Sequence, residues 1–326
     1  MKRLRSGPRL AIIAILVVII LAALFLRGWY GSGPLTADKT FVVPEGSSLA
    51  SVAAKLEKEG AIPSASSFRL RARLLGGGGG AIKAGEFLLP KGASPAQILQ
   101  IIESNAILRR FVAIPEGMPS IMVQARVMAQ PQLTGALTVP AEGSVLPDSY
   151  AFERGESRQA VVARMQDAMR RTLAELWPKR AKDSAVKTPA EAVILASIVE
   201  KETGKPAERR MVAGLYSNRL RQGMMLQADP TIIYPITQGK PLGRRIRQSE
   251  IAAVNGYNTY SMAGLPRGPI TNPGRASIAA VLDPTRTDAL YMVADGTGGH
   301  AFAATLEEHN RNVAKWFAIR KARGER

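Results

Sequence analysis

One segment limits what this chain can fold into more than any other. LAIIAILVVIILAALFL, Leu10 to Leu26, contains neither a charge nor a helix breaker. An apolar run of roughly 17 to 25 residues can cross a bilayer as a helix, which satisfies its own backbone groups in hydrocarbon. Lys2, Arg3, Arg5 and Arg9 precede the run and only Arg27 follows closely, a bias that keeps the N-terminus in the cytoplasm. A cleaved signal peptide shares the basic start and apolar centre, but its centre is usually shorter and no small-x-small cleavage site is evident. The expectation is therefore a cytoplasmic basic tail (1–9), a single-pass transmembrane anchor (10–26), and everything beyond it outside the inner, cytoplasmic membrane.

The remaining 300 or so residues of this 326-residue chain are enough for two compact domains. Cysteine is absent and there are only two histidines, His300 and His309, so no disulfide framework, thiolate chemistry or zinc site is expected. The formal net charge is +18, which favours an anionic partner such as an acidic wall polymer or lipid; a general preference for arginine is the other explanation. An outward location argues against nucleic acid.

After the anchor, GWYGSGPLTADKT lacks periodicity and reads as a tether, residues 27–39. FVVPEGSSLASVAAKLEKEGAI (Phe41 to Ile62) is then echoed by VAIPEGMPSIMVQARVMAQ (Val112 to Gln130): a β-branched strand, Pro-Glu-Gly, and a helix with small and aliphatic residues. Between them, IKAGEFLLPKGASPAQILQIIES predicts strand, turn and helix, with Ser94 as cap and Pro95 opening the helix. The five glycines Gly76 to Gly80 predict a flexible loop. The layout resembles LysM-type modules, which bind wall glycans; a spacer is the alternative reading. Residues 40–110 are taken as a LysM-like α+β module. Residues 111–187 are taken as a second α+β unit with a connecting amphipathic helix, whose Val161, Val162, Met165, Met169 and Leu173 share a face. Residues 188–326 are taken as the C-terminal domain.

ILASIVEKETG, Ile194 to Gly204, places two glutamates on an otherwise buried-looking helix. Thr188, Pro189 and Glu191 predict its start through an N-cap, a first-turn proline and a capping box; Gly204 and Pro206 predict its stop. At about 100° per residue, Glu202 continues the stripe of Leu195, Ile198 and Val199, whereas Glu200 turns away towards Val193 and Ser197. A carboxyl ending an apolar stripe is desolvated and its pKa raised, as a general acid requires. Spacing alone leaves a structural ion pair open for either glutamate.

Four ordered motifs, LASIVEKETG, NRLRQGMMLQADPTIIY, YNTYSMAGLPRGPITNPG and LYMVADGTGGHAFAATLEEHN, resemble the YceG-like family of membrane-anchored endolytic murein transglycosylases. The resemblance is dense over the C-terminal 140 residues or so and looser before them. It implies an α+β protein whose C-terminal domain is of lytic-transglycosylase type. The implied reaction is cofactor-free cleavage of the β-1,4 bond between N-acetylmuramic acid and N-acetylglucosamine within peptidoglycan strands, leaving 1,6-anhydro ends and terminating strand growth. Peptidoglycan synthases are implied as further partners. A hydrolytic muramidase and a non-catalytic wall-binding scaffold are the alternatives.

The family's catalytic glutamate maps into VEKET; Lys-Glu-Thr is similar to the Gln-Glu-Ser of other lytic transglycosylases and places it on Glu202, with Glu200 in reserve. Gln227, Asp229, Asn258, Tyr260, Asn272 and His300 are the candidate substrate-binding residues. Four of them have a structural reading beside the functional one: helix N-cap for Asp229, a packing ring for Tyr260, a turn former for Asn272, and a structural hydrogen bond for His300. Thr305 and Glu308 predict a further capping box. Arg267 departs from the family's usual GLPPGPI and adds a potential contact to an acidic stem peptide.

Overall fold

The structure, a computed structural model, describes residues 7–76 and 80–324, with side chains from Ala11 onward. The basic residues Lys2, Arg3 and Arg5, the side chain of Arg9 and the glycines Gly77 to Gly79 lie outside the described residues. The chain forms two compact units, Met1–Arg110 and Phe111–Arg326.

In the first unit, α1 (Gly7–Tyr30) is a single helix whose apolar side chains from Ala11 to Leu24 face outward. It contains a stretch, Ala11–Tyr30, long and apolar enough to cross a membrane. Then come β1 (Lys39–Val43), α2 (Leu49–Lys58), α3 (Ala65–Leu75), β2 (Gly85–Leu89) and α4 (Pro95–Glu103). β1 and β2 pair antiparallel with Phe41 opposite Phe87. Phe41, Leu56, Phe68, Phe87, Ile98 and Ile102 form the core. α4 starts as expected: Ser94 accepts from Gln97 N–H, and the Gln97 side chain accepts from Ser94 N–H.

Residues 27–39 are not the loose tether that their composition predicts. Trp29 is buried with its ring 5.6 Å from that of Phe68, and Leu35 joins the same core. Gly33 N–H donates to Gly92 O at 3.0 Å, and Leu35 O accepts from Gly92 N–H at 2.9 Å. Two large apolar side chains among small polar ones suffice to pin the segment down, because burying each is worth roughly 1.5–3 kcal/mol.

The second unit runs β3 (Arg110–Ala113), α5 (Ser120–Met128), β4 (Ser149–Phe152), α6 (Arg158–Leu176), α7 (Pro189–Glu202), α8 (Arg209–Arg221), α9 (Asp229–Thr237), α10 (Gln248–Ile251), α11 (Arg275–Leu282), β5 (Tyr291–Ala294), β6 (His300–Ala303) and α12 (Leu306–Ala322). The repeated Pro-Glu-Gly is a repeated turn. Gly46 and Gly117 have φ of 73° and 72°, a left-handed conformation open to glycine, and both turns close by the same bond, Ser47 N–H to Pro44 O and Met118 N–H to Pro115 O.

β3 pairs with β4, and β5 with β6, as separate two-stranded sheets. α7, α8 and α11 pack around Leu195, Ile198, Val212, Leu215, Ile278 and Val281, all buried. The boundary expected at residues 187 and 188 is not a break in packing. Val161, Val162 and Met165 of α6 belong to the cluster around Val112 and Phe152, while Met169 of the same helix and Val186 of the polar connection belong to the α7 cluster. One amphipathic helix thus serves two adjoining cores.

Candidate active site

α7 begins as the sequence predicts, with one difference. Thr188 Oγ1 accepts from Glu191 N–H at 3.1 Å, but the Glu191 carboxylate reaches one residue further back, to Lys187 N–H at 2.6 Å. The stripe of Leu195, Ile198 and Val199 is fully buried, so the last turn delivers Glu202 into a cavity of about 240 Å³. Glu202 Oε1 is out of contact with solvent and has no hydrogen-bond partner. Its pKa is pushed from 4.5 up to about 7, first by burial and next by the negative charge of Asp229; the Tyr216 hydroxyl and the Arg219 charge pull the other way.

Glu200 is differently placed. Its side chain is 6% exposed, with Oε1 3.6 Å from the Arg209 guanidinium, and Oε2 accepts from Gly274 N–H at 2.9 Å. Gly274 is the N-cap of α11, so Glu200 ties α7 to the start of that helix and answers its positive end.

Gln227, Asp229, Tyr260 and His300 line the same cavity as Glu202. The backbone of Gln227 is left-handed, φ 52°, a strained state for a non-glycine residue. It is held by its N–H to Thr259 O at 3.1 Å, and Thr259 Oγ1 accepts from Ala228 N–H at 3.0 Å. Asp229 is not the N-cap of α9. That position falls to Ala228, and the Asp229 carboxylate instead accepts from the Tyr260 hydroxyl at 2.6 Å. Burial, and after it this bond, raises the Tyr260 pKa, so the phenol stays a donor. His300 Nδ1 lies 2.8 Å from Glu208 Oε2, and His300 N–H donates to Glu208 Oε1 at 3.1 Å. A carboxylate there requires the proton on Nδ1 and leaves Nε2 for other work.

Asn258 and Asn272 do not belong to this group. Both are fully buried. Asn258 Nδ2 donates to Ile251 O at 2.9 Å and Ala253 O at 2.6 Å, while its Oδ1 accepts from Tyr260 N–H at 2.9 Å. It shapes the loop that presents Tyr260. Asn272 Nδ2 donates to Met118 O at 2.9 Å and Ser120 Oγ at 3.0 Å, and its Oδ1 accepts from Val145 N–H at 3.0 Å. A turn-like context concealed an amide whose bonds are spent on distant backbone and side-chain groups. Asn272→Ala is expected to lower stability by about 2–4 kcal/mol, since each buried hydrogen bond is worth about 0.5–1.5 kcal/mol and orphaned partners add to the loss. Urea denaturation checks this, and KM of the folded fraction should not move.

Two cavity residues, Tyr216 and Arg219, are not candidates in the sequence. Arg219 is buried; its Nε donates to Leu290 O at 2.6 Å and its Nη1 to Leu226 O at 2.8 Å, with Gln227 Oε1 at 3.4 Å. It therefore joins α8 to β5 and to the segment before α9. Their signal is the one that marks Glu202: Tyr216 and Arg219 continue the apolar stripe of Val212 and Leu215 along α8. Arg267, the departure within GLPRGPI, is exposed and lies over the Tyr257 ring, 4.7 Å from its centroid.

Fold and site together define an α+β protein with one desolvated carboxylic acid facing a cavity lined by fixed polar groups. The profile of the YceG-like family matches residues 41–315. The chain is 27% identical over 336 residues to the endolytic murein transglycosylase of Bacillus subtilis (strain 168), covering 92% of either protein. It is 27% identical over 359 residues to the protein of that name in Streptococcus pneumoniae serotype 2, where it spans 91% of this chain and 64% of the relative. Among solved structures, a YceG-like protein from Listeria monocytogenes matches with a TM-score of 0.52 at 26% identity, over 85% of this chain and 99% of that one. The chain belongs to the YceG-like family.

Proposed function

We propose that this protein is an endolytic murein transglycosylase, and that Glu202 is its acid and then its base. The observation that carries the reading is the placement of Glu202 at the end of a buried helix stripe, partnerless at Oε1 and with its pKa lifted to about 7. The relatives' shared name supports it. Ordinary glycosidases use two carboxyl groups, one of them as nucleophile or as base towards water. In a lytic reaction the muramic acid residue replaces the second: its acetamido oxygen stabilises the cationic centre and its C6 hydroxyl attacks C1. Glu202 gives its proton to the leaving glycosidic oxygen, then takes one from the C6 hydroxyl. The bond to the leaving sugar breaks, a 1,6-anhydro ring closes, and the acid is restored without water.

Asp229, held by Tyr260, disfavours a second negative charge nearby and so keeps Glu202 protonated until the proton is needed. Gln227, Tyr260 and His300 Nε2 are the substrate contacts in this reading, and Glu200 is structural. The strand-helix-helix-strand order of β1, α2, α3 and β2 supports LysM-type glycan binding by the first unit. α1 serves as the single-pass anchor with both units outside the cytoplasmic membrane, where cleavage of nascent strands would terminate their growth beside the synthases.

Product analysis tests the reading. Purified glycan strands incubated with the detergent-solubilised full chain should yield new 1,6-anhydro ends by mass spectrometry, within strands rather than from their tips. Reducing ends in their place would identify a hydrolytic muramidase; binding without cleavage would identify a scaffold.

A further inference from the structure

The last turns of α1 are built into the first unit. The Arg71 guanidinium lies over the Phe25 ring, 5.1 Å from its centroid, and occupies the space beside Gly28, where an added Cβ would meet it at 2.5 Å. Three residues earlier on α3, Phe68 meets Trp29. Moving along α3 from Phe68 to Arg71 thus moves the contact on α1 from Trp29 back to Phe25, away from the helix end. A helix rises about 1.5 Å per residue, so Phe25 lies about 7.5 Å short of Tyr30, the end of the apolar stretch. If α1 spans a bilayer, α3 enters its interface layer, and its C-terminal end is directed inward.

The outward face of α3 suits that position. At about 100° per residue, Leu74 and Leu70 follow Arg71 round the helix, with Arg73 and Arg69 beyond them. Leu70 and Leu74 are 52% and 65% exposed, and Tyr30 is 63% exposed. Isolated exposed leucines need no explanation, but a pair adjoining a membrane helix and edged by two exposed arginines does. Leucines at the boundary between headgroups and acyl chains, with arginines reaching anionic phosphates, are how a helix lies on a membrane. Tyrosine and tryptophan at the same level are its usual companions.

We propose that the outward face of α3, Leu70 and Leu74 edged by Arg69 and Arg73, rests in the headgroup layer of the anionic phospholipid bilayer that α1 crosses. The first unit then lies on the membrane instead of being held off it. The proposal rests on α1 as a membrane span, and the experiment separates the two. Because the chain has no cysteine, Leu70→Cys, Leu74→Cys, Val18→Cys and Ala54→Cys each provide one labelling site; Ala54 is an exposed reference on α2. The labelled full chain is placed in vesicles of phosphatidylethanolamine with phosphatidylglycerol, and fluorescence quenching by nitroxide lipids is measured. Quenching at positions 70 and 74 by shallow nitroxides should exceed that at position 54 by about three-fold or more, as burial at the headgroup boundary requires, while position 18 answers to deep nitroxides. Adding Arg69→Glu and Arg73→Glu should bring positions 70 and 74 down towards the level of 54, with position 18 unchanged. Quenching at 70 and 74 equal to that at 54, with 18 quenched, overturns the docking alone. An unquenched position 18 overturns the span and the docking together, and indifference to the two charge reversals overturns the anionic partner.

Discussion

Glu202→Gln is expected to abolish almost all cleavage of glycan strands while the protein stays folded and still binds them. The amide is nearly the same size but has no proton to deliver, and general acid–base assistance is worth about 10²- to 10⁴-fold. Glu200→Gln should lose far less turnover. Its amide can still accept from Gly274 N–H, though the ion pair with Arg209 is gone and some stability with it. Steady-state assays on strands of uniform length read both results; near-normal rates in Glu202→Gln with loss in Glu200→Gln would reverse the assignment. The wild-type pH profile provides a second measure. With a pKa of about 7, Glu202 holds its proton below neutrality, so turnover should fall as pH rises through about 7. Stability follows the same sign. The folded state binds this proton more tightly than the unfolded chain, whose value is near 4.5, so the contribution is full below about 4.5 and fades as pH rises through about 7.

Arg219→Met is expected to have the second largest effect, on stability and on the site together. It leaves the carbonyls of Leu226 and Leu290 without their donor, at roughly 1–3 kcal/mol for each buried group, or about 2–6 kcal/mol in all. Thermal unfolding should show the loss. Arg219→Lys should recover little, because one ammonium cannot span the two directions that the guanidinium fork serves. Removing the positive charge also removes an influence that lowers the Glu202 pKa, so in the folded fraction the falling limb of the pH profile should move upward. A destabilised variant whose pH midpoint is unchanged would make Arg219 purely structural.

The sequence discloses Glu202 for a reason that applies equally to Arg219 and Tyr216: each continues an apolar stripe on its own helix, a position that needs a physical explanation. Among so many arginines, one on α8 attracts no notice unless its phase is checked. Gln227, Tyr260 and His300 are found because the motifs are recognisable; nothing local separates them from Asn258 and Asn272, which stand in similar turn-rich stretches. What decides is whether an amide's bonds are consumed inside the protein, and for Asn272 those partners lie far along the chain. The strand, turn and helix order of the first unit is legible because Pro-Glu-Gly, Ser94 and Pro95 act within a few residues. The packing of Trp29 and Leu35 is not, since burial depends on what the rest of the unit offers them. For the same reason a polar connection before Thr188 reads as a border where α6 in fact serves both sides.

The bonds of Asn272 also set an order of events. They reach Val145, Ser120 and Met118 across 127, 152 and 154 residues, whereas the two-stranded sheet and helices of the first unit close within its own 110 residues. Long loops must be closed before such contacts return any free energy, and chains rich in them fold slowly. As the polypeptide emerges from its N-terminal end, the first unit has all its partners at hand. The second cannot seal until the stretch around Asn272 arrives, and by then the hairpin of β5 and β6 that walls the cavity is still some twenty residues behind. Maturation of the half that carries Glu202 is therefore a late event, and nascent chains arrested before that point should present a finished first unit and an open, protease-sensitive second one.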